Sequence, residues 1–461
     1  MTDRHAAASR PLRFPLWISA VVVGCLSAGC ERPFVEERAP EIEVLSPDLS
    51  TVQLQRNVLL EIQATSQNGV DSMQLNGIAL LPGEEAGEFG REIRLNYGLT
   101  LLVIEAFDAT GVQSTDTLYA IALPAVSTLG ELRLPEPRGG HTALRMGDGR
   151  LMVAGGSTLP NEPASNAVWI YSPIDLRSAP AEYFMLHRRT EHTATLLPDG
   201  RVLILGGSEV TEPPTVNELV EQVEAFDPDS AAFVPIPVAG DPIRRSGHTT
   251  ILFTVVRGQT IETFLYLYGG WGDVQYRPQP RLGIRSDLRV FQFRNDSLVA
   301  LGPTIGPTID AITDHTTTAI QAQVGSRAEY LVGGSIFLAE DLFDDVVFQA
   351  TLSTSAGIRI ESTGPIQFHR SGHAAARMVE GEILIFGGRE FELNSAIQSA
   401  EVYYSAIRRF YPFPDEAGLL QKRWGHTATI WNTDRILITG GFGETGAALQ
   451  TSEWFEIDRT E

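Results

Sequence analysis

A histidine with small or hydroxyl-bearing neighbours recurs six times in this chain, at His141, His192, His248, His315, His373 and His426. Each is followed, after an apolar run, by paired glycines: Gly155-Gly156, Gly206-Gly207, Gly269-Gly270, Gly333-Gly334, Gly387-Gly388 and Gly440-Gly441. The histidines are 51, 56, 67, 58 and 53 residues apart. A repeat of that period means units that cannot bury their apolar faces alone and must stack on one another. The plainest copy, Glu191 to Gly207, reads as a strand, an Asp199-Gly200 hairpin turn and a second strand ending in two glycines. A third strand follows in each unit, at Val168–Tyr171, Val223–Phe226, Leu288–Phe293, Val346–Phe348, Glu401–Tyr404 and Glu453–Ile457. A fourth carries an aromatic residue where one is visible, at Phe233 and Phe410.

Four strands per unit, with that histidine and that Gly-Gly, resemble the kelch repeat. The resemblance spans residues 124–461 and implies an all-β fold, a six-bladed kelch-type β-propeller. The family's fourth-strand Trp is replaced by Phe or absent, and its Tyr-Asp-Pro survives only as Tyr171-Ser172-Pro173 and Phe226-Asp227-Pro228. The glycines read as architectural: blades converge there, and a side chain would clash. The last repeat stops at Ile457, after its third strand. The free segment Thr128–Leu134 is therefore expected to pair as the outer strand of the sixth blade, leaving no inner edge open.

Ahead of the repeats, residues 41–123 show short alternating strands with a turn about every ten residues, the pattern of a β-sandwich. Ile42-Glu43-Val44-Leu45-Ser46-Pro47, Val70-Asp71-Ser72-Met73-Gln74-Leu75-Asn76-Gly77 and the run Leu101 to Gly111 resemble bacterial immunoglobulin-like modules. They imply a small immunoglobulin-like β-sandwich acting as a spacer. Residues 1–29 carry Arg4, Arg10 and Arg13 and then a short apolar run, too short and too interrupted for a membrane span. The run ends in Leu26-Ser27-Ala28-Gly29-Cys30, which resembles a lipobox and implies lipidation of Cys30. An ordinary cleaved signal peptide is the alternative. Glu31 at the next position favours the outer membrane, and residues 30–40 read as a tether.

Apart from Cys25 and Cys30 the chain has no cysteine. This excludes disulfides, Cys-ligated zinc, iron–sulfur clusters and cysteine nucleophiles from the folded body. It also excludes the cysteine–tyrosine cross-link of copper radical oxidases resembling galactose oxidase. A net charge of −22 argues against nucleic acid as a partner.

Three constellations remain as candidate sites. Arg138, Arg189, Arg245, Arg370 and Arg423 each lie three residues before a repeat histidine. They form either a guanidinium ring that receives a carboxylate or acidic sugar, or a structural tie between blades, and their regular recurrence favours the tie. The six histidines, one per blade and never paired in sequence, read as structural, with no metal or cofactor implied. The third repeat carries a distinctive segment from Trp271 to Arg281, read as a loop on the arginine face. Its Trp271, Tyr276, Arg277 and Arg281 are of the types that dominate recognition of proteins and sugars. Acidic segments at Glu209–Glu221 and Phe337–Asp345 suit a cation, a basic partner or bare solvation. No isolated acid–base pair and no sialidase-type Asp-box is present. The expectation is therefore a non-catalytic, envelope-anchored protein that binds a protein or carbohydrate ligand with its loop face. An exported kelch-type enzyme similar to sialic acid epimerases and a purely structural envelope component are the alternatives.

Overall fold

Residues 41–122 alternate in burial as a half-buried sheet must: along Gly98–Asp108, Leu102, Ile104 and Ala106 are buried and the residues between them are not. The computed structural model describes residues 38–459, apart from 211–214, 277–278, 303–311, 320–326, 340–341, 354–356 and 391–394. Cys30 lies outside the described residues.

Two sheets form the N-terminal sandwich. One runs in the order Glu41–Ser46, Asn57–Thr65, Glu88–Arg94, Leu81–Pro82. The other runs Val52–Gln53, Gln113–Ala122, Gly98–Asp108, Val70–Leu75, Ile78–Ala79. Leu60, Ile62, Met73, Phe89, Ile104 and Ala120 fill the space between them. Asn76 and Gly77 are both left-handed (φ 48° and 75°), as a two-residue hairpin turn demands.

Eight further sheets follow among the described residues, six of four or five strands and two smaller ones, and in each of the six a repeat histidine stands just before or within the first strand of its repeat. The first strands are Thr142–Arg145, Thr193–Leu196, Thr249–Arg257, Ile312–Ala319, Ala374–Arg377 and Thr427–Ile430. Each lies against the first strand of the next repeat, and the sixth lies against the first. The second strands are buried along their whole length at Leu151–Ala154, Val202–Leu205 and Ile383–Phe386. Covered on both faces by neighbouring sheets, they read as continuous apolar runs. The arrangement is all-β and propeller-like.

The sixth sheet is completed from the other end of the array. Ala125–Arg133 pairs antiparallel with Thr451–Ile457, Ala125 opposite Ile457 and Leu129 opposite Glu453. This strand begins three residues before the expected Thr128 and is bulged before Arg133. The sandwich is docked on the array rather than merely tethered to it. Val52, Ile121 and Leu123 share one core with Met378, Phe386, Tyr404 and Phe455 of the fifth and sixth repeats.

Candidate functional site

The repeated histidines build a collar around the axis. In five of the six the Nε2 atom meets the threonine hydroxyl that follows the histidine of the preceding repeat. The pairs are Thr142–His192 (2.9 Å), Thr193–His248 (3.2 Å), Thr249–His315 (2.9 Å), Thr316–His373 (2.9 Å) and Thr427–His141 (3.4 Å). In the fifth repeat the threonine is replaced by Ala374, and both ring nitrogens of His426 lack a partner among the described residues. Burial pushes the pKa of His141, His248, His315 and His373 down to about 3 and holds His192 and His426 well below the ordinary value. The rings are therefore neutral. Five of the six Nε2 atoms are engaged with hydroxyls, and the described residues contain no cluster of three metal-ligating side chains.

A second collar is made by backbone alone. The residue before the histidine is left-handed at Gly140, Glu191, Gly247, Gly372 and Gly425. Its N–H donates to the carbonyl of its counterpart in the preceding repeat: Gly425 to Gly372, Gly140 to Gly425, Glu191 to Gly140 and Gly247 to Glu191, at 2.7–3.0 Å. The glycine pairs lock the same seam. A Cβ on Gly155 would lie 2.4 Å from the carbonyl oxygen of Arg189 in the next repeat, and one on Gly156 2.7 Å from that of Gly139. The second glycine donates to the next arginine's carbonyl at Gly156→Arg189, Gly207→Arg245, Gly388→Arg423 and Gly441→Arg138. Both glycines have positive φ at 155–156, 206–207, 269–270, 387–388 and 440–441. In the fourth repeat Gly333 and Gly334 instead sit inside the strand Arg327–Ala339, opposite Val347 and Val346.

The arginines do not present an open guanidinium ring. Arg189, Arg370 and Arg423 are wholly buried, paired with Glu224 (2.5 Å), Glu401 (2.7 Å) and Glu453 (2.5 Å) in the third strand of their own sheets. Each also donates to the carbonyl of its repeat's first glycine. The second oxygen of each glutamate accepts a backbone N–H, from Leu186, Gln367 and Leu420. Arg138 bonds Glu136 and Ser165 and lies over the Trp169 ring. A buried guanidinium needs such partners, which leaves these groups no face for an incoming carboxylate. Nothing local in the sequence marks these glutamates, because each lies 30 to 35 residues from its arginine.

The third repeat departs from this plan. Glu224, Glu401 and Glu453 stand opposite Ile204, Ile385 and Ile438, each two residues before the first glycine. The equivalent Leu267 stands opposite Arg289. A cation thus occupies the acceptor's position. Arg245 turns instead to Asp287, its Nη2 2.7 Å from both carboxylate oxygens. Arg285 reaches the same carboxylate through Nε (2.8 Å) and donates to the Asp273 carbonyl (2.5 Å). Burial opposes ionisation of Asp287, but hydrogen bonds and charge from Arg285 and Arg245 win and hold its carboxyl at about 2. Arg289 donates to the carbonyls of Pro242 (2.8 Å) and Asp241 (2.6 Å). Around these groups opens a cavity of about 510 Å³, lined by Asp241, Pro242, Arg244, Arg245, Asp273, Arg285, Asp287 and Arg289.

The segment at one wall of this cavity is a hairpin, not a loop. Trp271–Tyr276 pairs with Gln279–Ile284, and Trp271 bridges back to Ser246. The indole Nε1 of Trp271 and one carboxylate oxygen of Asp273 are buried without partners among the described residues. Arg277 and the side chains of Tyr276 and Arg281 lie outside what the structure describes. In the Phe337–Asp345 segment Phe337 stands opposite Phe343 and Ala339 opposite Leu342, in paired strands, and Glu221 pairs with Arg244.

Fold and site together define an all-β protein of kelch-like, β-propeller-like architecture with a polar cavity at one departing repeat. No protein-family model matches the chain, and no curated protein matches it. Among solved structures the chain is similar to that of YjhT, over 72% of this chain and 100% of that one, with a TM-score of 0.50 and 14% identity. It is also similar to a fungal alcohol oxidase of the AA5 family determined in complex with copper, over 91% of this chain and 76% of that one, with a TM-score of 0.44 and 13% identity. At 14% identity the likeness to YjhT speaks to the fold alone.

Proposed function

We propose that the chain is a lipoprotein anchored through Cys30, in the outer membrane of a bacterial envelope, whose six repeats are the blades of a kelch propeller. Its immunoglobulin-like sandwich sets the propeller off the membrane. The propeller acts as a non-catalytic binding or scaffolding module for a protein or carbohydrate ligand, and the third repeat is its recognition site. One observation carries this reading. The repeated histidines, glycines and most of the repeated arginines are engaged within the ring, whereas the third repeat breaks the pattern and opens the 510 Å³ cavity beside a hairpin. In a ring of near-identical parts, specificity belongs to the part that differs.

The test is an in-cell cross-linking pull-down of the anchored protein beside a Trp271/Tyr276/Arg281 triple-alanine variant. A partner captured by the native hairpin and lost with the variant supports the reading. No capture, or capture that ignores the hairpin, overturns protein recognition at that face and makes acidic glycans the leading ligand; a variant that changes nothing in cells leaves a purely structural envelope component. Turnover of an acidic sugar by the native chain would replace it with an enzyme. Arg370 is unsuited to testing that alternative, because its fully buried ion pair makes any change there a change in stability.

A further inference from the structure

Charge balance in the third repeat differs from that of its neighbours. In the second, fifth and sixth repeats one buried arginine meets one buried glutamate. In the third, Arg245 and Arg285 share the single carboxylate of Asp287, and Arg244 pairs with Glu221. Arg289 is left hydrogen-bonded only to two neutral carbonyls among the described residues, with its guanidinium 4.8 Å from the Phe291 ring centre. Asp287 and Asp241 attract this cation from nearby, but neither carboxylate hydrogen-bonds its guanidinium, unlike the glutamates that meet the buried arginines of the second, fifth and sixth repeats. The carbonyl contacts also fix the plane of the guanidinium, which prepares it for two-point contact with a planar or tetrahedral oxyanion. Burial depresses the Arg289 pKa against the pull of Asp287 and Asp241, the direction that a bound anion would reverse. The cavity beside it is wide enough for a small ligand.

We infer that the third-repeat cavity is an oxyanion-binding site in which Arg289 is the receiving cation, taking a carboxylate or sulfate-ester group of the ligand. The inference rests on the recognition site proposed above and names the chemistry that site selects. The unpartnered, buried oxygen of Asp273 on the same wall adds a requirement for a hydrogen-bond donor beside the anion.

The experiment is calorimetric titration of the full chain with acetate and with methyl sulfate, chloride being used to hold ionic strength constant. Arg289→Glu is the comparison: it installs the residue type that the second, fifth and sixth repeats carry at this position, where it suits the fold. Saturable binding of one or both anions, weakened about tenfold or more in Arg289→Glu, is the expected result. The preferred anion then distinguishes a carboxylate ligand from a sulfate ester. Absence of saturable binding to the native chain, or equal binding by Arg289→Glu, overturns the inference. If a hairpin-dependent partner is still captured in cells while neither anion binds, the recognition site stands and only its assigned chemistry falls. If Arg289→Glu fails to fold, the native titration alone still decides whether an oxyanion binds.

Discussion

The hydroxyl beside each repeat histidine does as much as the histidine. Five threonines bridge to the next repeat, and Ala374 leaves a gap against His426. Ala374→Thr should close the collar and raise stability by about 1 kcal/mol, the net worth of one buried hydrogen bond. A rise in the denaturation midpoint would show it, and a fall would mean the strand cannot take the branch. The histidines also set a pH dependence. Their folded pKa values lie near 3 and their unfolded ones near 6.5, so between those limits the unfolded chain binds more protons. Their contribution is full above about pH 6.5 and is lost as pH falls toward 3. Urea midpoints at pH 7.5, 5.5 and 4.5 should therefore decline in that order. The sequence displayed the histidines because they recur. It hid the threonine's role because the partner lies a whole repeat away, and the loss at Ala374 looks like one small residue for another.

At the scale of strands, the buried Arg–Glu pairs separate structural carboxylates from ornamental ones. Removing one partner of a fully buried pair costs about 3–5 kcal/mol, so Glu453→Ala should lower the melting temperature steeply. Glu136→Ala should lower it less, because Glu136 is 62% exposed and the buried Arg138 keeps its bond to Ser165 and its place over the Trp169 ring. Circular dichroism melts of the two variants test the contrast directly. The strands with clean apolar runs were legible in sequence, since burial on both faces leaves no polar interruption. Glu88–Arg94 was not, because Gly90, Arg91 and Glu92 dilute an alternation that only Phe89 and Ile93 maintain. The hairpin at Trp271 looks like a loop in the sequence because Pro278 and Pro280 punctuate it. Pro280 is tolerated there on an edge strand, opposite Gln275. The exchange of glutamate for arginine at position 289 needs the strand register to be seen at all.

The whole molecule is less modular than its sequence suggests. Sandwich and repeats form separate sheets, but Val52, Ile121 and Leu123 lie in the core of the fifth and sixth repeats. Ile121→Ala should cost about 2–5 kcal/mol and lower the melting of the repeats as well as of the sandwich. Two separate transitions, with the upper one unshifted, would show that the shared core carries no coupling. Closure was legible because a repeat ended one strand short while a spare strand stood at the other end. Docking was not, since an apolar residue at the end of a strand looks the same whichever module it faces.

Pairing Ala125–Arg133 with Thr451–Ile457 also imposes an order in time. The strand that completes the last sheet is made before any of the six repeats, and its partner is made after nearly all of them. Until the partner arrives, Val126 and Leu129 sit on an unpaired edge, and the other five sheets can form while the circle stays open. A nascent chain stopped just before Thr451 would thus hold every histidine and every glycine pair yet remain unsealed. Sealing must therefore wait until Thr451–Ile457 has been made and has found its partner.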